Sequence, residues 1–368
     1  MTHSKWVRNS YLYAMVLFIA LAFSSCFEDI QTPPGSDPPT GNNNAKTYYV
    51  SGTGMNESGV AVATLWKAGI PVNLSASYPD AVVYNSAGFG MAVSGKDVYV
   101  CGVIYTSKGN YPIYWKNGLP VLLTPGNGEA TAIAVVGTNV YVSGVISNDN
   151  GNYYGVIWKN GVLTPLTAGE IYSSAGALVV SGGNVYVGGH LIQDGKTFAA
   201  YWKNGSPVLL TSGDNFATVQ SLAIKGATVY TAGIELGNDV GKYWKNGEVV
   251  NLTDGSSKVI VSAVYTTGND VYVAGKRFDG STVEMIVWKN EIIISTTPMN
   301  ANGLDINAVK VLHNKILVSG NVIYRNDNSS IYADATVWAN GVPSTLAQGA
   351  DGTNVYFANS IEVINGNH

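Results

Sequence analysis

Charge is scarce in this chain. Only 12% of its 368 residues are charged, about half the roughly 25% of an ordinary soluble domain. The 20 basic residues are outnumbered by 24 acidic ones, and no basic stripe is present to neutralise phosphates, which excludes nucleic acid as a partner. Cysteine is scarcer still. Two in the whole chain rule out both a disulfide framework and a cysteine-based zinc cluster. Beyond residue 26 the only imidazoles are His190, His313 and His368 and the only guanidiniums Arg277 and Arg325. The three histidines fall in different parts of the chain, without metal-ligand spacing. The uncharged stretch near the N-terminus, 11–23, has 13 residues, too few to cross a bilayer, which takes about 20. Hydrophobic residues, by contrast, make up 46%, with 43 glycines and 23 tyrosines, so the chain is too apolar and aromatic to be disordered.

The N-terminal 26 residues have the layout of an export signal. Lys5 and Arg8 form a positive leader, and the short apolar stretch follows. It ends in Phe23-Ser24-Ser25-Cys26, which resembles a bacterial lipobox, with Phe where Leu is usual. The resemblance implies that residues 1–25 are a signal peptide and that Cys26 is lipidated and becomes the first residue of the mature protein. Phe27-Glu28-Asp29 is similar to the acidic tag of Bacteroidetes-type lipoproteins delivered to the outer cell surface. Residues 26–45 contain Pro33, Pro34, Pro38, Pro39 and Asn42 to Asn44. They read as a flexible tether. Cleavage before Cys26 leaves 18 basic against 24 acidic residues, a net of −6 ignoring the termini.

Residues 46–368 repeat. Trp stands at 66, 115, 158, 202, 244, 288 and 338, a mean period of about 45 residues, and four of the copies read Trp-Lys-Asn-Gly. One unit reads as four short strands: 130–136, 139–146, 154–158 and 162–167, punctuated by turns every 8–12 residues. Asn160-Gly161 is a two-residue hairpin signal, because both positions need positive φ. Four antiparallel strands per unit of this length predict a propeller blade. The second strand occurs seven times, at 48–50 and then at Val98, Val140, Val185, Val229, Val271 and Ile316. A first strand precedes every copy except the one at 48–50, and the missing strand lies at 358–366. The expected fold is therefore all-β: a seven-bladed β-propeller of four-stranded antiparallel blades, its ring closed by the C-terminal strand joining the N-terminal blade. Closure removes the free sheet edges that invite aggregation.

A Gly closing the second strand and a Trp in the third make the unit resemble the kelch class of propeller repeats. In the second strand, paired glycines occur only at Gly188-Gly189; in the other copies the pair reads Ser-Gly, Ala-Gly or Cys-Gly, so the pattern is kelch-like. The repeated Trp reads as inter-blade packing with its indole N–H satisfied locally. Cys101, mid-strand, reads as a buried inert thiol. Ser147 to Gly151 is similar to the Asp-box of sialidase-type propellers, but it precedes the third strand instead of following it and reads as a turn. The arginine triad of sialidase-like chemistry is ruled out, because cleavage before Cys26 would leave only Arg277 and Arg325.

First-to-second and third-to-fourth turns are short and share one edge of each blade. The longer, more varied second-to-third loops and blade crossovers share the other, and binding is expected there. Each crossover carries an acidic residue, namely Asp80, Glu129, Glu170, Asp214, Asp254, Asp305 and Asp351. Converging at a channel mouth, they would attract a cation, an amine or a basic peptide. A divalent cation there is the one cofactor the pattern offers. The second-to-third loops contribute Tyr105, Tyr111, Asp149, Tyr153, Asp194, Arg277 and Arg325, a mixture suited to hydroxyl-rich or peptide ligands. These readings converge on a monomeric, non-catalytic recognition or scaffolding module at the outer face of the outer membrane. It would be attached by an N-terminal lipid and bind a glycan or a surface protein. The alternative is a carbohydrate-active hydrolase or lyase using paired carboxylates at the channel mouth.

Overall fold

The computed structural model describes residues 48–363, apart from 75, 77–80, 124–125, 168–171, 238, 281, 326–329 and 350–354. Cys26, the expected signal peptide, the expected tether and residues 364–368 lie outside the described residues, as do Asp80, Glu170 and Asp351. The described chain forms seven four-stranded antiparallel sheets and no helix. Blade 1 combines Phe357–Val363 with Tyr48–Met55, Ala61–Lys67 and Ile70–Asn73, in that order across the sheet. Blades 2 to 7 follow at 83–122, 128–165, 177–209, 217–251, 258–299 and 303–347. The first strand of each blade is innermost and packs on the first strands of both neighbours. Phe357–Val363 touches the first strands of blades 7 and 2 and runs antiparallel to Tyr48–Met55, Tyr48 opposite Val363. The expected closure is present, with its strand described over 357–363.

The repeat consensus follows from this architecture. Seven buried hydrophobic clusters lie at the seven blade junctions, each containing one of the repeated tryptophans, and all seven side chains are at most 1% exposed. The packing expectation holds, but its detail does not. The indole N–H groups of Trp66, Trp202, Trp244, Trp288 and Trp338 have no hydrogen-bond acceptor. The ring fills a junction walled by apolar side chains, and shape wins over the single donor. The second-strand glycines have a steric cause. At Gly52, Gly102, Gly144, Gly233, Gly275 and Gly320 an added Cβ would sit 1.7–2.2 Å from a carbonyl oxygen of the first strand, and at Gly189 2.1 Å from that of Ser174, just before it.

Six of the seven innermost strands pair irregularly at the same level, placing an extra residue against the second strand. Some of the displaced polar side chains tie one blade to the next. Asn307 Nδ2 donates to the Ala358 carbonyl at 3.0 Å, Asn359 Nδ2 to that of Gly88 at 2.8 Å, and Thr131 Oγ1 to that of Ala175.

The thirteen described turns between first and second or third and fourth strands are each two residues long. In the third-to-fourth turns both positions have positive φ, 49–52° and then 71–89°, as the Asn-Gly signal requires. The turn Asn has a second task. Asn160 N–H donates to the Val140 carbonyl at 2.8 Å, while its Oδ1 accepts from the Val140 N–H at 2.9 Å. Asn117, Asn204, Asn246, Asn290 and Asn340 repeat the side-chain bond at 2.8–2.9 Å. The preceding Lys lies over a second-strand Tyr, with Nζ 5.4–5.9 Å from the ring centre at Lys67, Lys116, Lys159, Lys203 and Lys289. This turn-bearing side is called the hairpin face below, and the opposite side the crossover face.

Candidate functional site

The crossover face is irregular, and its polar groups fall into separate neighbourhoods. Glu129 lies within the strand Gly128–Val136 instead of a crossover, half-buried under the end of blade 2. Burial raises its pKa, and a hydrogen bond with Tyr105 opposes the rise. The Tyr105 phenol is pushed up in turn, first by burial, then by the Glu129 charge and more weakly by Tyr153. The structure therefore brings Tyr105, Glu129 and Tyr153 together. Tyr111, expected in a loop, is buried in the third strand of blade 2, its hydroxyl 3.4 Å from the Lys108 carbonyl.

Asp305 also lies in a first strand, Gly303–Leu312, and its carboxylate pairs at 3.1 Å with Lys276, which also donates to the Leu304 carbonyl at 2.5 Å. Asp214 is exposed and bonds Ser212 Oγ at 2.7 Å and Lys196 at 3.1 Å. These contacts hold its carboxyl below the usual range, the Ser212 bond most. Asp254 accepts from the Ser256 N–H at 2.9 Å, and bonds from Ser256 lower its pKa. Of the four described acids expected in crossovers, Glu129 and Asp305 instead lie inside first strands, and each of the four has a partner of its own. Among the described residues no three His, Cys, Asp or Glu side chains gather into a set that could hold a metal ion.

Two of the loop candidates serve turn geometry. Asp194 is an exposed turn residue with φ of 52° beside Gly195. Asp149 sits in the turn organised by Asn148, whose Oδ1 accepts from Asn150 and Asn152 N–H groups at 3.0 Å. Arg325 is exposed, and its backbone N–H donates to Asn302 Oδ1 at 2.7 Å. Arg277 is half-buried and donates through Nε to Glu284 Oε1 at 2.5 Å.

Arg277 and Asp254 line one cleft of about 460 Å³ between blades 5 and 6, with Thr253, Ser256, Ser257 and Asn251. Its volume falls within the range of small-molecule sites, and its lining offers a guanidinium, a carboxylate, hydroxyls and an amide.

Sequence reasoning missed two groups. His190 is buried between blades 4 and 5, with Nδ1 2.8 Å from Ser174 Oγ and 3.3 Å from Thr218 Oγ1. Tyr172 stacks on it at 5.9 Å and Phe216 meets it edge-on at 5.6 Å. Burial pushes its pKa down to about 4. Asp334, in the third strand of blade 7, is buried and accepts from the Gly349 N–H at 2.8 Å. Its pKa is raised by burial, and burial, then Asp334, then Tyr332 push the Tyr324 phenol up to about 12. Nothing in a single repeat signals either group, because their neighbours come from other strands or blades. Cys101 is fully buried with its thiol pushed up to about 12, an inert sulfur.

No family model and no curated protein matches the chain. Among solved structures it is similar to the β-propeller domain of the Trilobed protease from Pyrococcus furiosus, at 11% identity and a TM-score of 0.47 over 84% of this chain and 97% of that one. It is also similar to a post-proline cleaving enzyme from Rickettsia typhi, at 12% identity and 0.45 over 84% of this chain and 54% of that one. A subtype N10 neuraminidase-like protein of A/little yellow-shouldered bat/Guatemala/060/2010 gives 9% and 0.45, over 74% and 97%. Likeness this distant carries no statement about activity.

Proposed function

We propose that this chain is a kelch-like, non-catalytic recognition module, lipidated at Cys26 and tethered to the exterior of the outer membrane, that binds a glycan or protein on its crossover face. The observation that carries the reading is the polar cleft of about 460 Å³ between blades 5 and 6, where Arg277 and Asp254 stand together. A rigid ring presenting such a cleft offers pre-organised hydrogen bonding without a moving part. Non-catalytic use is supported by the pairing of the carboxylates. Glu284 with Arg277, Asp305 with Lys276 and Asp214 with Lys196 are each tied to one cation, which leaves no facing pair for glycoside cleavage among them. The test is a glycan array and a cross-linking screen on outer-membrane extracts, using the chain without its signal segment. Binding that disappears in Arg277→Ala and Asp254→Asn, with melting unchanged, supports the reading. Binding indifferent to both changes overturns it.

The hydrolase or lyase reading has one observation in its favour. Glu129 combines a raised pKa with a tyrosine partner, as a general acid would. Turnover of a glycan that is lost in Glu129→Gln would establish it.

A further inference from the structure

Charge divides between the two faces. Among the described residues, ten lysines stand on the hairpin side against five carboxylates, whereas seven basic and twelve acidic residues stand on the crossover side. A chain of net charge −4 therefore has one cationic side. That side is also regular. Lys67, Lys116, Lys159, Lys203, Lys245 and Lys289 close the third strand of six successive blades and so form a ring of equivalent positions. Only Lys116 and Lys289 among them are ion-paired, to Asp97 and Asp270 at 2.8 and 2.9 Å. Lys67, Lys159 and Lys203 are exposed and lie over tyrosine rings, which hold the stems without neutralising the ammonium. The polypeptide enters the ring on this same side, since Tyr49 pairs with Lys67 at the hairpin end of blade 1.

We infer that the lysine ring of the hairpin face docks on the phosphate-bearing surface of an anionic lipid membrane, so that the propeller sits hairpin face down with its crossover face outward. The inference rests on the membrane tether proposed above and adds the orientation. Charge complementarity selects the lipid. A surface of fixed phosphates attracts a ring of lysines within about a Debye length and repels the acidic opposite face. The chain entry on the cationic side is compatible with close approach, because the tether need not wrap around the ring to reach the bilayer.

The test uses the full chain mixed with vesicles of phosphatidylcholine alone or of phosphatidylcholine with phosphatidylglycerol, and reads lysine acetylation by mass spectrometry. Lys67, Lys159, Lys203 and Lys245 are expected to be protected on the anionic vesicles and reactive on the neutral ones. Lys108 and Lys196, on the crossover side, are expected to stay reactive on both, and added salt is expected to abolish the protection. A triple Lys67→Gln, Lys159→Gln, Lys203→Gln variant is expected to weaken the protection at Lys245 by roughly two orders of magnitude, with melting measured alongside. The salt comparison on the wild type stands without the variant.

Equal reactivity on both vesicles, or protection of Lys108 and Lys196 instead, would overturn the inference. So would protection in native membranes but not on anionic vesicles, which would mean that an acidic protein covers this face. Failure of the tether reading is a separate readout, namely protein left in the supernatant of neutral vesicles. Loss of ligand binding concerns the opposite face and leaves the lysine pattern as it is.

Discussion

The two faces of the ring are built from the same strands and follow opposite rules. On the hairpin face every described connection has two residues, and in blades 2, 3, 4 and 6 the Lys, Asn and Tyr are committed to the same local contacts. On the crossover face the second-to-third loops and the crossovers vary in length. Each neighbourhood there is different: Tyr105 with Glu129, His190 with Ser174, Lys276 with Asp305. Uniformity marks residues that hold a blade together, and variety marks surface where one blade need not resemble the next. A repeated residue in such a fold has a structural task first, and a function such as the lysine ring's is added to that task.

That contrast can be broken by mutation. The largest effect is expected from deleting residues 357–368, which removes the inner strand of blade 1 and opens the cluster formed by Val50, Trp66, Leu317 and Ile361. With a net stability of about 5–15 kcal/mol to draw on, the ring should lose its cooperative unfolding transition. A truncated protein that melts like the intact one in calorimetry would contradict closure by this strand. Next comes Trp158→Ala at the junction of blades 2 and 3, expected to cost about 3–5 kcal/mol in chemical denaturation.

Acid should expose the costliest group on the irregular side. His190 is held neutral down to about 4 by burial, while in the unfolded chain it titrates near 6.5. The unfolded state therefore binds the extra proton between those values. Stability is full above about pH 6.5 and declines as pH falls toward 4, by about 3 kcal/mol. Glu129 and Asp334, with raised pKa values, act in the opposite sense, losing their contribution as pH rises through their folded values. The His190 effect is accordingly read as the difference in pH slope between the wild type and His190→Gln. Parallel slopes would show that the imidazole does not stay neutral.

The smallest expected effects make the sharpest test of the contrast. Asn160→Ala forces a non-glycine, non-Asn residue to keep φ of 49° and removes the cap on Val140, at about 1–2 kcal/mol. Asp254→Asn in the exposed crossover should stay within about 0.5 kcal/mol. Equal costs for the two in urea titrations would erase the distinction between the faces.

What the sequence made legible follows the same division. Trp at intervals of about 45 residues, Asn-Gly after the Lys in four of the seven copies, and a first strand displaced from one end of the repeat region to the other are signals within the sequence, and the fold has the seven blades they imply. Contacts made between blades are not periodic. Lys276 and Asp305 are 29 positions apart in different blades, and nothing in either segment marks the pairing, so the acids looked free when they were not. The Asn cap on the second strand was readable in principle, because Asn160 and Val140 recur together in the repeat. The buried His190 left no such trace.

Ring closure also has a consequence in time. Tyr48 and Val363, partners in blade 1, lie at opposite ends of the described chain. A polypeptide made from its N-terminus, or threaded in that direction through a pore, delivers three strands of blade 1 at the start and the fourth at the end. Until then Tyr48–Met55 presents an unpaired inner edge, the kind of edge that recruits the wrong strand. The blade begun first is finished last. Commitment to the native ring is thereby deferred until residues 357–363 have been made, and that delay is written into the topology.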